Sequence, residues 1–132
     1  MTQANEDLIR RGYQAFGEGD LDTLKSMMSP DVVHEVPGNN RFTGEHKGPD
    51  ELMDLYGRLF DVSGGTYNAD LLSIESRDDN TVVSTHRGTA QREGASLDTT
   101  EVLTFTVQDG KITRIVSSFS PEDEAAEDAF WG

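Results

Sequence analysis

Apolar and polar residues follow two different periods along this chain, and the change of period divides it in two. In the first part Leu8, Ile9, Tyr13 and Phe16 recur at helical spacing and form one stripe. Asn5 is read as the N-cap, Glu6 and Asp7 sit where the helix dipole favours acid, and Gly17 and Gly19 end the helix. Asp20 caps a second, shorter helix with Leu21, Leu24, Met27 and Met28 on its buried side. Ser29-Pro30 stops it, because the residue before a proline avoids the helical region. Asp31 to Val36 reads as a short strand closed by Pro37-Gly38, and the polar stretch from Asn39 to Lys47 as a loop. Gly48-Pro49-Asp50-Glu51 opens a third helix, with proline in the first turn and acid after it. Its broad apolar stripe is Leu52, Met53, Leu55, Tyr56, Leu59 and Phe60, and Ser63-Gly64-Gly65 ends it.

From Thr66 the period drops to two. Tyr67 to Ser76, Thr81 to Arg92, Ser96 to Val107 and Lys111 to Phe119 are rich in Val, Ile, Thr, Phe and Tyr and read as strands. The turns between them are short, so neighbouring strands run antiparallel. Asp109-Gly110 is the clearest hairpin signal, since a type I′ turn needs positive φ at both central residues. Ser120 to Gly132 reads as an acidic tail ending in Phe130-Trp131. Segregated helices and an antiparallel meander predict one α+β domain over residues 1–132.

Charge and composition narrow the possible partners. The formal charge is -14, from 25 acidic and 11 basic residues. Such a field repels phosphate backbones and argues against a nucleic-acid partner. Acid spread along the chain, with only Lys25, Lys47 and Lys111 as lysines, also fits a salt-adapted protein. The chain has no cysteine, which excludes disulfides and thiolate chemistry. No run of about 18 apolar residues exists and the start of the chain lacks a basic, apolar leader, so a cytoplasmic protein without a membrane partner is expected. The histidines His34, His46 and His86 lie far apart without metal-ligand spacing, so neither a metal nor another cofactor is expected.

Several motifs together resemble a known superfamily. They are Gly19-Asp20-Leu21, the run from Asp31 to Gly38, Phe42-Thr43-Gly44 with Gly48, and Phe105 through Asp109-Gly110-Lys111-Ile112. The pattern resembles the SnoaL-like and ketosteroid-isomerase-like proteins of the NTF2-like superfamily, over roughly residues 5 to 119. The resemblance implies a cone-shaped NTF2-like (cystatin-like) fold. In it, a curved antiparallel sheet and three helices from the N-terminal half enclose an apolar pocket. It also implies a homodimer.

Candidate chemistry follows from the strand faces. Val32, His34 and Val36 share a face. In the isomerases a carboxylate near the end of this strand removes the substrate proton; Val36 stands at that position and cannot accept one. His34, two residues earlier, is an available general base, or a pocket histidine that only hydrogen-bonds. Glu101 shares a face with Leu103 and Phe105, and burial there would raise its carboxyl pKa. An acid at the matching position in the isomerases stays protonated and donates to an oxyanion; the alternatives are a salt bridge to a neighbouring-strand arginine or a register that turns Glu101 outward. Tyr13 is a second oxyanion donor by the same resemblance, or a core tyrosine. His86 shares a face with Ser84 and Gly88, and alternation alone leaves open whether that face is the pocket. Phe16, Val36, Met53, Tyr56, His86, Leu103, Phe105 and Trp131 are the expected pocket residues. Leaving Phe130 and Trp131 exposed would forfeit roughly 1.5–3 kcal/mol each, so they are expected to close the pocket mouth or cover a dimer seam. Arg41 and Lys47 could meet an anionic ligand. The expected function is proton abstraction next to a carbonyl of a small apolar substrate, as in an isomerase or cyclase. The alternatives are a non-catalytic ligand-binding or interaction module, and hydrolysis by an activated water, which needs several convergent carboxylates.

Overall fold

A computed structural model describes residues 2–132. The elements run α1 (Thr2–Gly17), α2 (Leu21–Ser26), β1 (Met28–Val36), β2 (Gly44–Lys47), α3 (Pro49–Val62), β3 (Asn68–Ser76), β4 (Thr81–Arg92), β5 (Ala95–Gln108), β6 (Lys111–Ser118) and α4 (Pro121–Trp131). One six-stranded sheet has the order β2-β1-β6-β5-β4-β3. The α+β class and the cone expected from the sequence are what the chain adopts, with α1 lying against β3, α3 against β1 and α4 against β5.

Local chemistry explains most boundaries. Asp20 caps α2 by accepting from the Thr23 amide at 3.1 Å. The β5–β6 turn has φ of 52° at Asp109 and 76° at Gly110, the double positive φ of a type I′ hairpin. The meander from β3 to β6 is antiparallel throughout.

Four expectations are corrected. Asn5 is not an N-cap: α1 already begins at Thr2, and Asn5 Nδ2 donates to the Asp79 carbonyl at 2.9 Å. α2 ends at Ser26, and Ser29-Pro30 lie within β1, whose register with β6 is irregular between Met28 and Val33. β1 and β6 pair in parallel, so the sheet is not wholly antiparallel. Residues 44–47, read as loop, form an edge strand on β1, with His34 opposite His46. Their polar composition gives no alternation, so only the partner strand defines them.

The acidic tail is also structured. Ser120 accepts from the Asp123 amide at 3.2 Å, Pro121 opens the helix, and Glu122, Asp123 and Glu124 fill its first turn. At the other end Arg41 Nε donates to the Trp131 carbonyl at 2.6 Å and Arg92 Nε to the Phe130 carbonyl at 2.9 Å. Two guanidinium groups thus meet the carbonyl end of the helix, where its dipole favours cations. Asp128 Oδ1 accepts from the Asn39 amide at 2.8 Å and from Asn40 Nδ2 at 2.9 Å, tying α4 to the loop after β1. The helix therefore folds back over the end of the cone, and both terminal aromatics are buried.

Candidate functional site

The concave sheet face, α1, α3 and α4 enclose a cavity of about 130 Å³. An apolar cavity of roughly 150 Å³ holds a benzene ring, so this one suits a molecule about one ring in size. Most of the wall is apolar, and its polar side chains fall into two groups.

The first group is centred on β4 and β5. Register places His86 directly opposite Glu101. His86 Nδ1 lies 2.6 Å from the Tyr13 hydroxyl, which is 2.7 Å from Ser84 Oγ. His86 Nε2 lies 3.0 Å from Glu101 Oε1, yet off the line a hydrogen bond requires, and it has no hydrogen-bond partner among the described residues. With the proton on Nε2, towards Glu101, Tyr13 donates to Nδ1 and accepts from Ser84. Burial pushes the Tyr13 hydroxyl pKa well up, so this phenol stays protonated. Glu127 of α4 completes the group. Its Oε2 accepts from Thr99 Oγ1 at 2.6 Å and its Oε1 from Trp131 Nε1 at 2.9 Å. Burial is the main cause that raises its pKa to about 7, and the charge of Glu101 adds to it. Tyr67 lies against Gly88, where a Cβ would stand 3.1 Å from the tyrosine hydroxyl; the bare glycine admits the phenol to the wall.

The second group is centred on His34. Nδ1 meets the Tyr56 hydroxyl at 2.8 Å and Nε2 meets Ser117 Oγ at 2.8 Å. Burial lowers the imidazole pKa to about 4, so His34 is neutral at pH 7 with both nitrogens engaged.

Every expected site residue but one lines this cavity. Tyr13, His34 and Glu101 do, and so do Phe16, Val36, Tyr56, His86, Leu103, Phe105 and Trp131. Met53 does not. α3 presents Leu55, Tyr56 and Leu59 to the cavity, and Met53 is half-buried against the core. The Tyr13 hydroxyl is committed to Ser84 and His86, so it backs His86 rather than facing the cavity alone. Glu101 pairs with a histidine of the neighbouring strand, not an arginine. Arg41 is spent on the Trp131 carbonyl, and Lys47 sits 3.8 Å from Glu45. Among the described residues no cluster of acidic and histidine side chains has the form of a metal site, and no helix is long and apolar enough to cross a membrane.

Sequence reasoning missed Tyr67, Asn40, Phe42 and Glu127 on the wall. For Glu127 a signal existed: Ser120-Pro121-Glu122-Asp123 is an N-cap pattern, and the helix it starts puts Glu127 one turn before Trp131.

His34 and Glu127 oppose each other in the pH dependence of stability. A depressed histidine pKa contributes stability that is full above 6.5 and lost as pH falls towards about 4. A raised carboxyl pKa contributes stability that is full below 4.5 and lost as pH rises through about 7. Between pH 6.5 and 4.5 the two slopes nearly cancel. In Glu127→Gln the histidine slope is left alone, and acidification across that window should cost about 2 kcal/mol more than in the wild type. Urea melts at both pH values measure it; parallel losses in the two proteins would refute the assignment.

Comparison with known proteins matches the fold. The SnoaL-like domain family matches residues 9–115. The uncharacterized protein Rv0034 of Mycobacterium tuberculosis is 35% identical over 128 residues, covering 97% of this chain and 96% of its own. Among solved structures, Bal32a from a soil-derived mobile gene cassette is 34% identical with a TM-score of 0.95, over 99% of this chain and 98% of its own. A cystatin-like-fold protein of unknown function from Xanthomonas campestris is 33% identical with a TM-score of 0.86, covering 96% of each chain. A candidate polyketide cyclase from Sinorhizobium meliloti shares the fold at 21% identity, with a TM-score of 0.71 over 85% of this chain and 94% of its own.

Proposed function

We propose, for a chain that belongs to the SnoaL-like domain family, that its cavity enolises a small, uncharged carbonyl compound, the step common to isomerases and cyclases. The observation that carries this reading is the buried His86 Nε2 in the cavity wall, 3.0 Å from Glu101 Oε1 but off the line of a hydrogen bond. A buried donor held beside a carboxylate without a well-aligned bond is costly, and such groups recur where a ligand or a reaction step uses them.

Glu101 is the proton acceptor. Its carboxylate lies in the largely apolar cavity wall, 3.0 Å from His86 Nε2. His86, set by Tyr13 and Ser84 behind it, keeps its Nε2 proton against that carboxylate. When Glu101 takes the proton from the carbon next to the carbonyl, its charge is lost. The Nε2 proton is then released to meet the oxyanion that forms. His34 does not act as the base in this scheme. With a pKa near 4 it is a weak one, and Tyr56 and Ser117 hold both its nitrogens. It orders the far end of the cavity instead.

The wall holds no lysine or arginine, which disfavours carboxylate or phosphate ligands and supports an uncharged one. The cavity volume supports one ring rather than several.

Deuterium exchange at the α-carbons of 2-cyclohexenone and phenylacetone, followed by proton NMR in D2O, tests the reading. Exchange above the buffer rate is expected for at least one. Exchange of neither would sink it, and co-purification of a ligand that leaves unchanged would then favour a binding module.

A further inference from the structure

Glu127 is the one cavity carboxyl that the enolisation scheme does not use. It reaches the wall from α4, an element that packs chiefly on β5 and contributes nothing else titratable to the cavity. Its two oxygens are fixed from two elements, by Thr99 of β5 and by Trp131 one turn along its own helix. Thr99 is two residues from Glu101 on the same strand, so the two carboxyls share one face of β5.

Resting on the enolisation reading, we infer that Glu127 is the general acid of the site, delivering a proton to the carbonyl oxygen while Glu101 removes one from the adjacent carbon. The catalytic pair is therefore complete only when α4 is docked.

The proton balance closes without a further reactant. The carbon–hydrogen bond breaks, its proton goes to Glu101, and its electron pair forms the carbon–carbon double bond of the enol. The carbonyl π pair moves to oxygen, which takes the proton of Glu127. In the reverse sense Glu127 recovers its proton from the enol oxygen, and Glu101 returns one to the same or a conjugated carbon. The first outcome is exchange and the second is isomerisation. In a cyclisation the enol carbon attacks a second carbonyl, the enol oxygen returns its proton to Glu127 as its C=O re-forms, and the new alkoxide takes the proton held by Glu101.

The electrostatics suit this division. A negative charge on one carboxyl favours a proton on the other, the arrangement an acid and a base in one site need. Glu127 faces Glu101 from β5, His86 from β4 and Tyr67 from the segment just before β3, and burial with the Glu101 charge raises its pKa to about 7. Thr99 Oγ1 and Trp131 Nε1 already donate to its two oxygens and hold the carboxyl in place.

The test is the pH profile of ketone exchange in three proteins, with 2-cyclohexenone and phenylacetone as probes. In the wild type kcat/KM should fall as pH rises through about 7, because the acid form of Glu127 is lost. Glu127→Gln should exchange roughly 10²-fold more slowly or worse, and that alkaline limb should vanish. Thr99→Val removes a hydrogen bond that lowers the Glu127 pKa, so its limb should move to higher pH. Trp131 fluorescence in each variant reports whether α4 is docked. A Glu127→Gln protein that is docked and keeps both its rate and its limb overturns the inference. The enolisation reading stands in that case if Glu101→Gln is inactive. Wild-type protein that exchanges neither ketone removes both.

Discussion

Ketone exchange should fall by roughly 10²–10⁴-fold in Glu101→Gln, with the fold intact. Glutamine keeps the shape of the side chain on β5 and its position opposite His86, but its amide cannot accept the proton at neutral pH. The side chain is 15% exposed and carries no hydrogen bond that stabilises the sheet, so melting should change little. Glu101→Asp is the sharper control. It keeps the base but withdraws it by one methylene, and a misplacement of about 1 Å costs about 10²-fold when the reacting atoms must be close. A second consequence separates a catalytic from a structural loss. The charge of Glu101 helps to raise the Glu127 pKa, so Glu101→Gln should let Glu127 ionise at lower pH. Carbon NMR of the glutamate carboxyls reads that shift directly. A Glu101→Gln protein with wild-type exchange would remove Glu101 as the base and leave His34 as the next candidate.

Trp131→Ala should be the most damaging single truncation for stability, with a cost approaching 3–5 kcal/mol. The indole is 2% exposed and packs edge-on against Phe42 at 5.2 Å and Phe130 at 4.8 Å. It also donates to Glu127 at 2.9 Å, so its removal leaves a buried carboxyl short of a partner. Because α4 is the last element, the helix can undock without unfolding the sheet, and the loss in global stability is capped at the docking free energy. The expected result is therefore twofold: a lower melting temperature, and loss of hydrogen-exchange protection in residues 121–131 that exceeds the loss in β4 and β5. Trp131→Phe keeps a ring and loses the N–H, and should cost about 1 kcal/mol. Unchanged protection of α4 in Trp131→Ala would mean that the ties through Arg41, Arg92, Asp128 and Glu127 hold the helix without the indole.

Much of this architecture is written in local patterns. The stripe of α1, the Asp20 cap, Gly48-Pro49 at the start of α3 and the Asp109-Gly110 turn each have a local cause, and each is found where the pattern puts it. The bounds of β4 match the reading to the residue, because its alternation is bounded by turn residues on both sides. Elements without a pattern of their own were not legible. β2 is Gly-Glu-His-Lys, and it is a strand only because β1 offers it hydrogen-bond partners. Pro30 looks like a helix stop, yet it sits in a strand that pairs irregularly with β6. α4 had a cap signature, but its high acid content resembled a solvated tail.

The sequence by itself determined the α+β class and, through the family resemblance, the fold, and it singled out His34, Glu101 and Tyr13 as candidates for a mostly apolar wall. Alternation and helical spacing fix which face a side chain takes, and faces are enough for that. The tertiary structure decided what these groups do to one another. It set His86 beside Glu101, gave Tyr13 to His86 and both nitrogens of His34 to Tyr56 and Ser117, and brought Glu127 from the last helix to the same cavity. Those pairings span up to 83 residues of sequence. They depend on strand register and helix docking, which set distances to a few tenths of an ångström, and hydrogen bonding and pKa shifts respond to distance and burial on that scale.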